Sequence, residues 1–229
     1  MIMKENLQIA IDGPVGSGKG TLAIALAKKI NASHIYTGGM YRALTLKCLN
    51  SNIDLKNEGS VLDLLLKTNI KLDVDRNTGL THIFLDSKDV TEDIFLPKVS
   101  NATPVVSEHR SVREEMVRRQ KSLADGKKVV MEGRDITTVV LPNADIKIFL
   151  TADVNERARR RFNQLKEIDP NTQYEAVIQD VIKRDKTDTE RNASPLERTP
   201  DSFLVDTTDD TIELTVKKVM DELERCGFV

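Results

Sequence analysis

The chain has 229 residues, 39% hydrophobic and 31% charged, with a formal charge of −2 and no tryptophan. That balance describes a water-facing globular protein with one core of ordinary size and room for a small insert. It argues against a strongly basic nucleic-acid binder, and no apolar stretch approaches the roughly 20 residues that span a bilayer. The N-terminal MIMKENLQIAI has no long apolar segment before a small-residue cleavage site, so the expected location is the cytoplasm. Cys48 and Cys226 have no metal-ligand spacing and lie in sequence of helical texture, which reads as packing or incidental thiols. His34, His82 and His109 form no metal spacing and read as structural or surface residues.

The first element is a short apolar strand, Leu7 to Ile11, ending at Asp12-Gly13. A helix follows over Gly20 to Ile30, with Leu22, Leu26 and Ile30 at helical spacing. SHIYT at 33–37 predicts a second strand and Met40 to Leu49 a second helix. Between Leu62 and Val99 the texture changes: IKLDV, the turn DRNTG, THIFLD and a short KDV piece read as a hairpin in a small antiparallel insert. Buried strands are expected at Lys128–Met131, Ile146–Leu150 and Phe203–Val205. Asp153 to Asp188 is polar, arginine-rich and helical, broken at Asp169-Pro170-Asn171; with little apolar stripe to bury, it suits a mobile lid. The alternation of strand and helix predicts an α/β fold with a doubly wound parallel sheet. Its core would take 1–62 and 124–229, with the lid at about 153–188 and the insert at about 63–123.

The stretch IAIDGPVGSGKGT carries the strongest chemical signal. Gly13, Gly16 and Gly18 let the backbone curl so that N–H groups point inward, and the following helix adds its dipole, a cradle for phosphate. Lys19 would reach the β- and γ-phosphates of a nucleotide. Gly20 stands where the common loop has a magnesium-binding hydroxyl, with Thr21 one residue on. Mg²⁺, which sheds water reluctantly, would then be held through phosphates and water and by no side chain directly. The bland alternative is a glycine turn with an exposed lysine.

A second phosphate needs cations at the ends of other strands, and two motifs provide them. In YTGGMYR, Thr37 caps a helix that carries Arg42; in EGRD, a strand delivers Glu132, Arg134 and Asp135 to the sheet edge. Further arginines cluster at Arg113, at Arg157, Arg160 and Arg161, and at Arg184 and Arg191, where the bland reading is a solvated helix face.

The ordered series GPVGSGKGT, TGGMYR, NATPVVSEHRSVRE with RRQ, EGRDITTVVLP, RARRRF and RDKTDTERNASPL resembles the bacterial cytidylate kinases over nearly the whole chain. The resemblance implies transfer of the γ-phosphoryl of ATP to CMP or dCMP, with an enlarged nucleotide-binding insert. It implies an ATP cradle of Gly13, Pro14, Val15, Gly16, Ser17, Gly18, Lys19, Gly20 and Thr21. Thr37, Arg42, Arg134 and Arg191 would hold the acceptor phosphate, Arg113 and Asp135 would read cytosine, and Arg184 and Asp188 would lie near the sugar and phosphates. Arg157, Arg160 and Arg161 match the lid arginines, at a spacing that shares one helical face. The sequence departs from the family in two places: Thr137 replaces a frequent glycine, and Pro104 stands where some members have a serine near the base.

Competing readings are a kinase for another small acceptor, a nucleotide-dependent switch and a nucleic-acid binder. No D-x-x-G or [NT]-K-x-D motif follows the loop, and an aromatic content of 4% leaves few stacking platforms for single strands. No long exposed heptad calls for a dimer, so a monomer is expected.

Overall fold

The computed structural model describes residues 4–75 and 79–228. Five parallel strands form the central sheet: β1 (Gln8–Asp12), β2 (Ser33–Tyr36), β6 (Val129–Gly133), β7 (Ile146–Thr151) and β8 (Phe203–Asp206). Their order is β2-β6-β1-β7-β8, with β1 in the middle, Asp12 beside Gly133 on one flank and Phe149 on the other. All five residues of β6 are buried, as expected for a strand covered on both faces.

One face packs under α1 (Lys19–Ile30) and α8 (Ile212–Arg225): Ile9, Ile11 and Ile148 meet Leu22, Leu26, Val219 and Leu223. Ala10, Ile35 and Met131 point the other way, toward Ala124 at the end of α5 (Arg110–Ala124) and toward Ile136 and Val140 in a wide helical turn, Ile136–Val140. The alternation along β1 therefore fills both layers.

A second sheet pairs β3 (Ile70–Val74), β4 (Thr81–Leu85) and β5 (Lys88–Asp89) antiparallel. The expected hairpin is thus present, while Arg76, Asn77 and Thr78 of its turn lie outside the described residues. The hairpin shares one apolar cluster with α2 (Thr37–Asn50), α3 (Glu58–Leu66), α4 (Pro97–Glu108) and α5, running from Met40 through Leu65, Ile83 and Val99 to Met116. α2, expected from the sequence over Met40 to Leu49, puts its apolar residues into this cluster.

Between β7 and β8 stand α6 (Val154–Ile168) and α7 (Tyr174–Glu190), separated at the Asp169-Pro170-Asn171 break. Contrary to the expectation of little apolar surface, they share a seam: Ala158, Val177 and Val181 are buried against Val15, Phe162 and Ile178. Asp153 caps α6 by accepting from the Asn155 N–H at 2.8 Å.

Candidate active site

The loop after β1 wraps around the head of α1. Gly13 sits at φ +153, and a Cβ there would lie 2.0 Å from the Leu150 carbonyl oxygen. Gly16 sits at φ +76, and a Cβ would come within 2.7 Å of the Arg157 carbonyl oxygen, so the loop tip touches α6 closely. Inside the loop, Ser17 Oγ donates to the Pro14 carbonyl at 3.0 Å and Lys19 Nζ donates to the same oxygen at 2.7 Å. Burial, helped by the nearby charge of Arg134, pulls the Lys19 ammonium down to about 7 against the pull of Glu132, Asp188 and Asp12.

Lys19 opens onto a cavity of about 480 Å³ that also meets Thr37, Arg42, Arg113, Glu132, Arg134 and Asp135. The expected site residues Arg161, Arg184, Asp188 and Arg191 line it as well, so six of the arginines converge from α2, α5, α6 and α7 and from the positions just after β6 and α7. Thr37 does not cap α2: Tyr36 holds that position, and Thr37 begins the helix with its hydroxyl donating to the Glu132 carbonyl at 2.7 Å. The threonine ties two strand ends together. Arg42 Nη1 donates to Ser100 Oγ at 2.8 Å and to the Ile94 carbonyl at 3.1 Å, with its guanidinium 5.5 Å from the Phe95 ring centroid. Arg134 Nε donates to Asp188 at 2.7 Å, and Arg191 lies 3.8 Å from the other oxygen of that carboxylate. Burial would push Asp188 up, but Arg134, Arg191 and Arg184 hold it below the usual carboxylate range.

Burial, and then mutual repulsion with Arg42, depress the guanidinium groups of Arg161 and Arg184. Farther in, Arg113 Nη2 donates to Asp135, with 3% and 5% of the two residues exposed. Arg113 Nη1 donates to the Ser107 carbonyl at 2.9 Å, and Tyr41 lies beneath the guanidinium at 5.5 Å. Arg113 Nε, Arg161 Nε and Arg191 Nη2 are buried donors with no partner among the described residues. Native proteins rarely leave such groups unpaired, and six guanidinium groups lining one cavity mark a place for an acceptor-rich ligand.

The three α6 arginines diverge, despite a spacing that puts them on one face. Arg157 is pinned by bonds to the Ala152 and Val15 carbonyls, at 2.9 and 3.1 Å, and to Asp185 at 2.6 Å. Arg160 bonds Glu156 and Thr207 and faces a smaller cavity beside Ser17, Gly18 and Thr21. Arg161 alone of the three lines the large cavity.

Asp12 and His34 also contribute, although the sequence marks neither as a site residue. Asp12, fully buried, accepts from the Ile136 N–H at 3.0 Å and from the Thr137 N–H and hydroxyl at 2.7 Å each. The departure at Thr137 thus supplies a third bond fixing the turn after Asp135. Glu132 is buried with Oε1 3.0 Å from where a Cβ at Gly20 would be, and His34 Nε2 lies 3.4 Å from that oxygen. Thr103, next to the Pro104 departure, spends its hydroxyl on the Val99 carbonyl at 2.7 Å. Among the described residues no group of three or more His, Cys, Asp or Glu is placed to hold a metal ion.

A phosphate-binding loop on the middle strand of a parallel sheet, facing buried arginines across one cavity at the carboxyl ends of the strands, defines a P-loop protein of the kinase type. A family profile described as cytidylate kinase matches residues 9–225, and the chain belongs to the cytidylate kinase family. It is 46% identical over 219 residues to a cytidylate kinase of Caldanaerobacter subterraneus subsp. tengcongensis, covering 96% of this chain and 95% of that one. It is 48% identical over 225 residues to a cytidylate kinase of Bacillus pumilus, covering 97% and 98%. Among solved structures, an uncharacterized protein of Eubacterium ventriosum matches with a TM-score of 0.54 at 15% identity, covering 96% of this chain and 99% of that one, a likeness of fold.

Proposed function

We propose that the chain transfers the γ-phosphoryl group of ATP to CMP or dCMP, giving ADP and CDP or dCDP. The observation that carries this reading is the convergence of Arg42, Arg113, Arg134, Arg161, Arg184 and Arg191 on the cavity that Lys19 opens onto. Lys19 and the backbone of Gly13 to Thr21 hold the donor phosphates. The smaller cavity beside Gly18, Thr21 and Arg160 takes the rest of the donor. Arg42, Arg134, Arg184 and Arg191 hold the acceptor phosphate, and Asp188 orients Arg134 and Arg191. Thr37 fixes the floor between them.

Transfer of this kind needs no enzyme nucleophile: an acceptor phosphate oxygen attacks in line while the protein supplies position and positive charge. Arg161 is the α6 arginine for the transferring group, Arg160 serves the donor side and Arg157 joins the loop to α7. The α6–α7 unit closes over the phosphates as a lid and keeps water from the γ-phosphoryl group. Magnesium suits the site because the space at Gly20, which any side chain would fill, faces the Glu132 carboxylate. The phosphates and water would hold the ion, with Glu132 on its outer side, and when bound it neutralises phosphate charge.

Arg113 and Asp135 present a donor and an acceptor side by side. Cytosine offers O2 and N3 as acceptors and an amine as donor, a pattern that uracil reverses at N3 and at its O4. The segment at about 63–123 forms most of this acceptor module. Both nucleotide sites come from one chain, which supports a monomer, and ATP and CMP as substrates support a cytoplasmic location. Incubation with Mg-ATP and CMP, followed by ³¹P NMR, tests the reaction: paired diphosphate resonances of CDP are expected, and ADP with inorganic phosphate as the only products would overturn it.

A further inference from the structure

Ser100 lies on α4 with 6% of its surface exposed, and two of the acceptor-side arginines meet on it. Its hydroxyl oxygen accepts from Arg42 Nη1 at 2.8 Å. Its carbonyl oxygen accepts from Arg184 Nη2 at 3.4 Å. In an uninterrupted helix that carbonyl would take the N–H of the residue four positions on, but position 104 is proline and has none. Pro104 therefore leaves the Ser100 carbonyl open to a side chain. Arg42 and Arg184 repel each other, and two oxygen dipoles on one residue counter that repulsion.

We propose that Ser100 is a positioning residue for the acceptor phosphate: its hydroxyl and carbonyl hold Arg42 of α2 and Arg184 of α7 from one point on α4, an arrangement that Pro104 makes available. Ser100 joins the insert to the lid, and the Pro104 departure becomes part of the phosphate grip as well as a wall of the base pocket. Both Arg42 hydrogen bonds recorded among the described residues leave from Nη1, so fixing that nitrogen orients the rest of the fork.

The inference rests on CMP being the acceptor, and the test separates the two. Ser100→Ala should raise the CMP KM and Kd about tenfold while the ATP KM moves by less than about twofold, since a bond to a charged group is removed from one side only. In an Arg42→Ala background the same change should add little to the CMP Kd, and Ser100→Thr should restore most of the affinity. Pro104→Ala returns an N–H to α4, so it should raise Tm and yet weaken CMP about threefold, opposite signs that a purely structural role would not give. An unchanged CMP Kd in Ser100→Ala, or equal losses for CMP and ATP, overturns the proposal. If wild type fails to phosphorylate CMP, the functional reading falls, and titration with inorganic phosphate decides this one. Weaker phosphate binding in Ser100→Ala that disappears in the Arg42→Ala background upholds it, and identical binding rejects it.

Discussion

Asp135→Ala would remove one half of an ion pair that is almost entirely buried. Breaking such a pair costs about 3–5 kcal/mol, because a desolvated charge is left behind. Arg113 keeps the Ser107 carbonyl and the Tyr41 ring, which places the loss near the low end, about 3 kcal/mol. For a chain of this size that is a fall in Tm of roughly 6–12 °C. The acceptor for the cytosine amine goes too, so the ratio of kcat/KM for CMP over UMP should fall by about 10- to 100-fold. The double change Arg113→Met with Asp135→Leu separates the effects: an apolar pair of similar volume should recover most of the Tm while selectivity stays lost. Thermal melts and steady-state kinetics on the wild type and the two variants suffice. Full selectivity in the double variant would refute the assignment of base reading to this pair, and an unshifted Tm in Asp135→Ala would refute the energetic argument.

Gly16→Ala, strained by its positive φ and by a backbone oxygen at 2.7 Å, should raise the ATP KM at least about tenfold with little change for CMP, measurable by initial rates. The Lys19 value of about 7 in the folded chain lies below the ordinary 10.5, so the buried ammonium weakens the fold most below pH 7 and progressively less as pH rises toward 10.5. Lys19→Met should therefore raise Tm more at pH 6 than at pH 9 while abolishing turnover. Wild type should take up protons on binding ATP above pH 7, seen by calorimetry in buffers of different ionisation enthalpy. Arg161→Ala should lower kcat by about 100-fold or more with Tm held, whereas Arg157→Ala, which loses the Val15 and Asp185 contacts, should lower both.

What could be read before the structure was local. The glycine loop, its strand and its helix lie within thirty residues, and each reinforces the others through backbone geometry that depends on sequence alone. The arginine motifs were legible because they follow strands. The partners that tune them were not: Asp12 and Thr137 are 125 positions apart, and Arg42 and Ser100 are 58 apart. Helical spacing put Arg157, Arg160 and Arg161 on one face, yet side chains of that length reach different partners, which Val15, Asp185 and Thr207 decide. The seam between α6 and α7 is not legible in the sequence because Ala158, Val177 and Val181 make too sparse a stripe until the two helices meet. Thr37 has the residue type of a cap, whereas its hydroxyl is taken by a neighbouring strand end.

The most direct test of the central claim is ADP release from Mg-ATP with CMP, dCMP, UMP, AMP, GMP and shikimate offered separately, beside a control without acceptor. Rapid turnover confined to CMP and dCMP is the predicted result, since only cytosine matches the Arg113 and Asp135 pair. Preference for another acceptor would contradict the base assignment, and ADP release that needs no acceptor would contradict the two-phosphate site itself.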